Sequence, residues 1–160
     1  MNYIEWLTDL FDSPDSDVSL GHGPAHPVTP NLSLQKDVDL FFQKFPFLQT
    51  VPEYYNFQLV YAGIFIEEEN YSISVYGFDE DVTIHLLNNP GDITNGDGML
   101  FIADLVIDDP LETIAFAMKI NLEENTDIVY RKKKPEDFKP FCSSREFFSW
   151  CAKSHEKLYL

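Results

Sequence analysis

The chain of 160 residues carries 27 acidic and 11 basic side chains, which gives a formal net charge of −16 at pH 7. A surface this acidic repels nucleic acid and anionic lipid, so we expect neither a nucleic-acid partner nor a membrane partner. With 44% apolar and 15% aromatic residues, the composition is that of a globular protein that needs neither a disulfide nor a metal to fold.

The N-terminal region divides into a short helix and an irregular arm. Apolar side chains recur at helical spacing in residues 3–11, which predicts an amphipathic helix with Ile4, Leu7, Leu10 and Phe11 on one side. Residues 12–30 hold four prolines and two glycines and few large apolar side chains, as in a linker. We therefore assign residues 1–30 to an N-terminal helix and Pro/Gly-rich arm, and residues 31–160 to a single α+β domain. A helix this short is marginal alone, so it should dock on the body or on a partner.

The N-terminus has no basic and apolar segments like those of a signal peptide, and no apolar run approaches the roughly 20 residues of a membrane helix. We therefore expect a soluble, cytoplasmic protein. Both cysteines, Cys142 and Cys151, should then be reduced thiols.

The body opens with helical patterns. A stripe of apolar side chains predicts a helix near residues 34–45, with Ser33 as its N-cap and Pro46 ending it. A second short helix should begin at Pro52, because proline suits the first helical position. At the other end of the chain, Ser143 and Glu146 form a capping-box pattern that predicts a closing helix over residues 144–157.

Between these helices the pattern changes to the alternation of strands. Strands are predicted at residues 71–75, 82–86, 99–102, 114–120 and 128–130. Runs of strands without interleaved helices favour an α+β class. We therefore predict a mainly antiparallel sheet, covered on one face by the N-terminal and C-terminal helices.

No pattern for catalysis, a metal or a cofactor is complete. His22 and His26 lie among prolines and glycines, and His85 lies in a predicted strand. The set Asp92, Asn95 and Asp97 lacks the rest of a calcium loop. Cys151 and His155 are one helical turn apart, but no orienting group or oxyanion site accompanies them. We therefore expect no enzyme activity, no metal and no cofactor.

The charge is segregated along the chain. No lysine or arginine occurs between Lys44 and Lys119, whereas Arg131–Lys134 is a run of four bases. That run could bind phosphate, guard a sheet edge or pair with the protein's own acids, and we favour the last two. The acidity could serve solubility alone, or it could meet a basic protein partner. For the second case we predict binding by Glu67, Glu68, Glu69, Asp79, Glu80, Asp81, Asp104, Asp108 and Asp109, with Tyr76 and Phe78 as aromatic anchors, and Phe65 and Tyr71 as further candidates.

A set of motifs resembles the SMI1/KNR4 family, also called the SUKH superfamily. The resemblance covers about residues 33–155 and rests on Val51-Pro52-Glu53-Tyr54-Tyr55, Leu59, Gly63, Gly96–Phe101, Ile128-Val129-Tyr130 and the aromatic segment Ser143–Trp150. Members of that family are mostly bacterial immunity proteins that block toxins, often nucleases, by binding them, and the eukaryotic members are regulatory adaptors.

The resemblance implies an α+β binding protein with no catalytic residues to carry over. We therefore expect an immunity protein that occludes a cognate basic toxin, which could be a nuclease. The alternative is a scaffold or regulatory adaptor of the same family type that has no toxin partner.

Overall fold

The computed structural model describes residues 2–12, 32–61, 63–77, 98–119 and 127–160. Its helices are α1 (Tyr3–Asp12), α2 (Leu32–Lys44), α3 (Pro46–Gln49), α4 (Pro52–Val60), α5 (Ser144–Ala152) and α6 (Glu156–Tyr159). Its strands are β1 (Gly63–Glu67), β2 (Tyr71–Tyr76), β3 (Met99–Asp108), β4 (Leu111–Lys119), β5 (Ile128–Lys132) and β6 (Lys139–Ser143). The predicted α+β class is confirmed.

The six strands form one open antiparallel sheet in which each strand pairs with the next along the chain. Four of the predicted strands lie in β2, β3, β4 and β5, whereas β1 and β6 were not predicted. The predicted strand at 82–86 and the arm of residues 13–30 lie outside the described residues. The order of strands in space therefore follows the order of strands in the sequence.

One face of the sheet packs against the helices, and together they form the hydrophobic core. Alternate side chains of a strand point to opposite faces, and the buried ones include Ile64, Ile66, Ile73, Val75 and Leu105. The helices add a dense set of aromatic rings to this core, namely Phe41, Phe42, Tyr54, Phe57, Phe147 and Phe148. The opposite face of the sheet carries Phe65, Ser74, Tyr76 and Asp104.

The N-terminal helix docks on the body of the protein. Leu7 and Phe11 are buried in the same core as the rest of the chain, and the rings of Phe11 and Tyr61 lie 5.7 Å apart. Trp6 also lies 5.2 Å from the Arg145 guanidinium. Burial of two large apolar side chains stabilises a helix of ten residues that would be marginal in water.

The predicted capping box begins α5. Ser143 Oγ accepts from the Glu146 N–H at 3.1 Å, and the Glu146 carboxylate accepts from the Ser143 N–H at 3.2 Å. The single helix predicted over 144–157 is wrong, because Lys153 is extended and Ser154 has φ of 63°. The chain turns there and continues as the short helix α6. None of the described helices has the length and apolar character needed to cross a membrane.

Candidate protein-binding surface

Six carboxylates gather at one end of the sheet. We call this group the acidic end. It lies in and beside two neighbouring hairpin turns and consists of Glu67, Glu68, Glu69, Asp108, Asp109 and Glu112. Tyr71 of β2 pairs with Ile107 of β3, and the Asp108 N–H donates to the Asn70 carbonyl at 3.0 Å. The β1–β2 and β3–β4 turns therefore lie side by side.

Five of the six side chains of the acidic end are open to solvent and form no salt bridge with a described residue. Glu69, Asp108 and Asp109 are exposed, and Glu68 and Glu112 are partly exposed. Among the described residues, the salt bridges of the sheet involve acids of the 132–139 region and not these five side chains. Like charges this close raise each other's energy, and a basic partner would relieve that repulsion.

A second group of predicted residues meets on the outer face of the sheet. The Tyr76 hydroxyl donates a hydrogen bond to Asp104 Oδ2, although the two residues are 28 positions apart. Burial, followed by the hydrogen bond and the charge of Asp104, raises the pKa of Tyr76, so the hydroxyl remains a donor at neutral pH. This contact fixes the position of the Asp104 carboxylate.

Phe65 and Ser74 complete what we call the outer-face patch, which consists of Phe65, Ser74, Tyr76 and Asp104. Phe65 is paired with Ser74, and Ser74 is paired with Asp104, so the three side chains form one row across β1, β2 and β3. Phe65 is 48% exposed and Tyr76 is 38% exposed, so both rings offer surface to a partner. Phe65 and Glu67 are two positions apart on β1, and Asp104 and Asp108 are four positions apart on β3, so the patch lies about 7 to 13 Å from the acidic end.

The run of bases occupies the end of β5 and the start of the β5–β6 turn, where it lines the basic cleft. This turn lies at the same end of the sheet as the acidic turns but further across the strands, toward β6. This cleft has a volume of about 350 Å³ and is lined by Arg131, Lys133, Lys134, Pro135, Glu136, Lys139, Pro140 and Phe141. The idea that the run guards a sheet edge is wrong, because β5 pairs with β4 on one side and with β6 on the other. The idea that it pairs with the protein's own acids is confirmed for Lys132, whose Nζ lies 3.9 Å from Asp137.

Three cations of the basic cleft bond to groups of the protein itself, whereas Lys134 is exposed. Arg131 Nη1 donates to the Leu158 and Leu160 carbonyls at 3.0 and 3.2 Å, and its guanidinium lies 4.1 Å from the Phe141 ring centroid. Lys133 Nζ donates to the Tyr159 carbonyl at 2.6 Å. Lys139 pairs with Glu136 at 2.9 Å. These bonds hold the segment after α5 against the sheet.

The geometry around Cys151 does not form a thiol–imidazole pair. His155 Nε2 donates to the Cys151 carbonyl at 2.7 Å, and Nδ1 accepts from the Tyr71 hydroxyl at 2.9 Å. Both ring nitrogens are thus occupied by groups other than the thiol. Cys151 is fully buried, and burial raises its pKa well above the ordinary range, so the thiol is a poor nucleophile. Both cysteines are free thiols.

A polar cluster is buried where α4 and α5 begin. Glu53 and Ser144 are almost inaccessible to solvent, and Ser144 Oγ lies 3.3 Å from Glu53 Oε2 and 3.4 Å from Asp127 Oδ2. One hydroxyl proton can serve only one of these carboxylates at a time. The cluster joins the two helices to the sheet and is closed to a large substrate.

Two residues near the acidic end differ from what the sequence predicts. Tyr71, a further candidate anchor, lies on the helix side of the sheet against His155 and Tyr159, and so apart from the outer-face patch. Glu112 was not among the predicted residues, although it stands only three positions after Asp109 across a tight turn.

Among the described residues, no three His, Cys, Asp or Glu side chains are grouped to hold a metal. Outside the described residues lie Phe78, Asp79, Glu80, Asp81, His22, His26, His85, Asp92, Asn95 and Asp97.

Comparison of the chain with protein-family models, with curated proteins and with solved structures gave no match.

Proposed function

We propose that this protein is a non-catalytic bacterial immunity protein that binds and occludes a cognate basic toxin. The observation that carries the proposal is the acidic end, where two hairpin turns bring together six carboxylates, five of which form no salt bridge with a described residue. Such a cluster gains most from a partner that supplies the missing positive charge. A toxin that acts on nucleic acid needs a basic face, and an acidic protein that covers that face blocks access of the substrate.

The charge distribution supports fast and selective encounter. Between residues 45 and 118 the chain has 13 carboxylates and no lysine or arginine, and this stretch builds β1, β2, β3 and most of β4. A field of one sign over half of the sheet steers an oppositely charged protein toward that half. It also disfavours acidic partners, which contributes to specificity.

The scaffold suits this role because the charged groups stand on paired strands. The acidic end is fixed by the β1–β2 and β3–β4 pairing, and the outer-face patch lies within the same strands. Groups held by a sheet lose little conformational freedom on binding. The α+β fold with an antiparallel sheet is also the architecture that the SUKH resemblance implies, and Pro52 stands at the start of α4 as that motif requires.

A second candidate is a regulatory adaptor without a toxin partner. The observation in its favour is that the acidic end and the basic cleft lie on one sheet, so the protein could hold a basic partner and an acidic partner together. The neighbouring reading frame separates the candidates. A toxin gene beside this one favours the immunity function, whereas a solitary gene favours the adaptor.

The experiment is co-expression of the protein with the product of the adjacent gene. We expect rescue of growth and a complex that purifies intact at physiological salt. The test variant carries Glu67→Gln, Glu68→Gln and Glu69→Gln and should protect less well. A matched control also loses three exposed carboxylates, through Glu5→Gln, Asp9→Asn and Glu156→Gln on the helices, and should protect like the parent. Full protection by the test variant would contradict the role of the acidic end.

A further inference from the structure

We propose that the outer-face patch binds an arginine side chain of the basic partner, with the guanidinium group over Ser74 between the Phe65 ring and the Asp104 carboxylate. This proposal rests on the proposed function and names a specific contact within it. It adds a recognition site to the general attraction of the acidic end.

The row of side chains across three strands has a gap at its centre. Phe65, Ser74 and Asp104 are neighbours on β1, β2 and β3. Adjacent strands are about 4.8 Å apart, so Phe65 and Asp104 stand about 10 Å from each other with only the small Ser74 side chain between them. A flat cation placed over Ser74 reaches the aromatic ring on one side and the carboxylate on the other.

The Asp104 carboxylate is held in place but is not neutralised. It is partly buried, and its hydrogen bond within the described residues comes from the neutral Tyr76 hydroxyl to Oδ2. The next base in the same row is Lys132, which lies beyond Ala115 on β5 and pairs with Asp137. Within the described residues Oδ1 accepts no hydrogen bond, and the Tyr76 hydroxyl fixes the orientation of the carboxylate. A positioned carboxylate binds a cation with less loss of freedom than a mobile one.

The chemistry of the patch favours arginine over other cations. A guanidinium group is planar and weakly hydrated, and it stacks on aromatic rings while donating hydrogen bonds to a carboxylate. Lysine is a compact, strongly hydrated ammonium that gains less from the ring. A divalent metal prefers several oxygen ligands, whereas this patch offers one carboxylate.

The test is an NMR titration of the full chain with N-acetyl-arginine amide at 150 mM salt. We expect saturable shifts at the backbone amides of Phe65, Ser74, Tyr76 and Asp104, with affinity in the millimolar range that an exposed ion pair and one ring contact support. N-acetyl-lysine amide should bind at least about twofold more weakly, and the neutral analogue N-acetyl-citrulline amide should cause no saturable shifts.

Two variants and two matched controls locate the site. Asp104→Asn removes its charge, and Ser74→Leu fills the gap while all charges stay in place, so each should weaken arginine binding by about threefold or more. Asp9→Asn removes one exposed charge from α1, and Thr113→Leu adds an exposed leucine to β4, so both should bind like the parent. Folding of each variant is checked by its amide spectrum.

The results distinguish this site from the proposed function. Shifts confined to the acidic end, or equal binding by Asp104→Asn and the parent, would overturn the arginine site even if the protein still neutralises a toxin. Loss of binding in Asp104→Asn and Ser74→Leu, with both controls unchanged, would support the site even if the adjacent gene encodes no toxin. Equal affinity for the arginine and citrulline compounds would also overturn it, because a cation would then be unnecessary.

Discussion

The acidic end and the basic cleft belong to the same sheet but differ in how their charges are satisfied. Arg131 and Lys133 donate to carbonyls of residues 158–160, and Lys139 pairs with Glu136. At the acidic end, by contrast, carboxylates such as Glu69 and Asp109 stand in solvent without a basic neighbour among the described residues. Charged groups that bond within the chain stabilise the fold, whereas charged groups without such a bond are available to a partner.

The order of the strands in the sheet explains how this contrast arises. Each strand pairs with the next one along the chain, so a position in the sequence becomes a position across the sheet. The described parts of the base-free stretch, residues 45–61, 63–77 and 98–118, therefore include β1, β2, β3 and most of β4, whereas the bases from Arg131 onward begin on β5. The separation of acidic and basic residues along the sequence therefore becomes a separation across the sheet. A fold with crossover connections between strands would have mixed the two groups of residues.

The largest effect on stability is expected in the basic cleft. Arg131→Ala removes two hydrogen bonds to carbonyls and the contact with Phe141, so it should lower the free energy of unfolding by about 2 kcal/mol. Arg131→Lys should recover only part of this loss. Lys134 is exposed, and Lys134→Ala should change the stability by less than about 0.5 kcal/mol. Urea unfolding at pH 7 measures all three. Equal stability of Arg131→Ala and Lys134→Ala would remove the distinction between the two regions.

Removal of charge at the acidic end should have the opposite effect on the free energy of unfolding. Replacement of Glu67, Glu68 and Glu69 by glutamine relieves repulsion between neighbouring carboxylates, so the free energy of unfolding should stay the same or rise by up to about 1 kcal/mol at low salt. The gain should shrink at high salt, because salt screens the same repulsion. Urea unfolding at both salt concentrations provides the check. A clear loss of stability would mean that these carboxylates support the fold.

A smaller effect should appear in alkaline solution and involves the outer-face patch. The folded pKa of Tyr76 is raised above the ordinary tyrosine value of about 10, so the unfolded chain loses this proton first. The stabilisation is therefore complete below about pH 10 and is lost as the pH rises through the folded pKa. Tyr76→Phe should show a shallower fall in the free energy of unfolding above pH 10. Tyr54, whose pKa burial also raises, remains in both proteins and cancels in the comparison.

Absorbance titration adds a direct measurement of this pKa. Asp104→Asn removes the charge that helps to raise the pKa of Tyr76, so its phenol should ionise at lower pH than in the parent. If Tyr76→Phe and the parent lose stability in parallel above pH 10, then the contact between Tyr76 and Asp104 contributes nothing to the folded state.

Local sequence patterns were sufficient for the class of the fold and for part of the surface. Period-two alternation located β2 and β4, the apolar residues 128–130 after a polar segment located β5, and the capping box at Ser143 located the start of α5. The turns that carry Glu67–Glu69 and Asp108–Asp109 could be predicted because acids flank them directly in the sequence.

Features that depend on pairing between distant segments could not be predicted. β1 has only five residues and follows a helix without a clear break, and β6 contains Pro140 and shows no alternation of burial. The contact between Tyr76 and Asp104, and the gap at Ser74, depend on the register of β2 against β3. That register is fixed by the packing of the whole sheet, which no local pattern encodes.

The central claim is that the acidic end attracts a basic partner, and association kinetics against the product of the adjacent gene test it most directly. Between 0.01 M and 0.15 M salt the Debye length falls from about 30 Å to about 8 Å. We expect the association rate of the parent to fall about tenfold or more over this range, while the dissociation rate changes less. The variant with glutamine at Glu67, Glu68 and Glu69 should associate more slowly at low salt and depend less on salt. An association rate that responds neither to salt nor to these substitutions would contradict the claim.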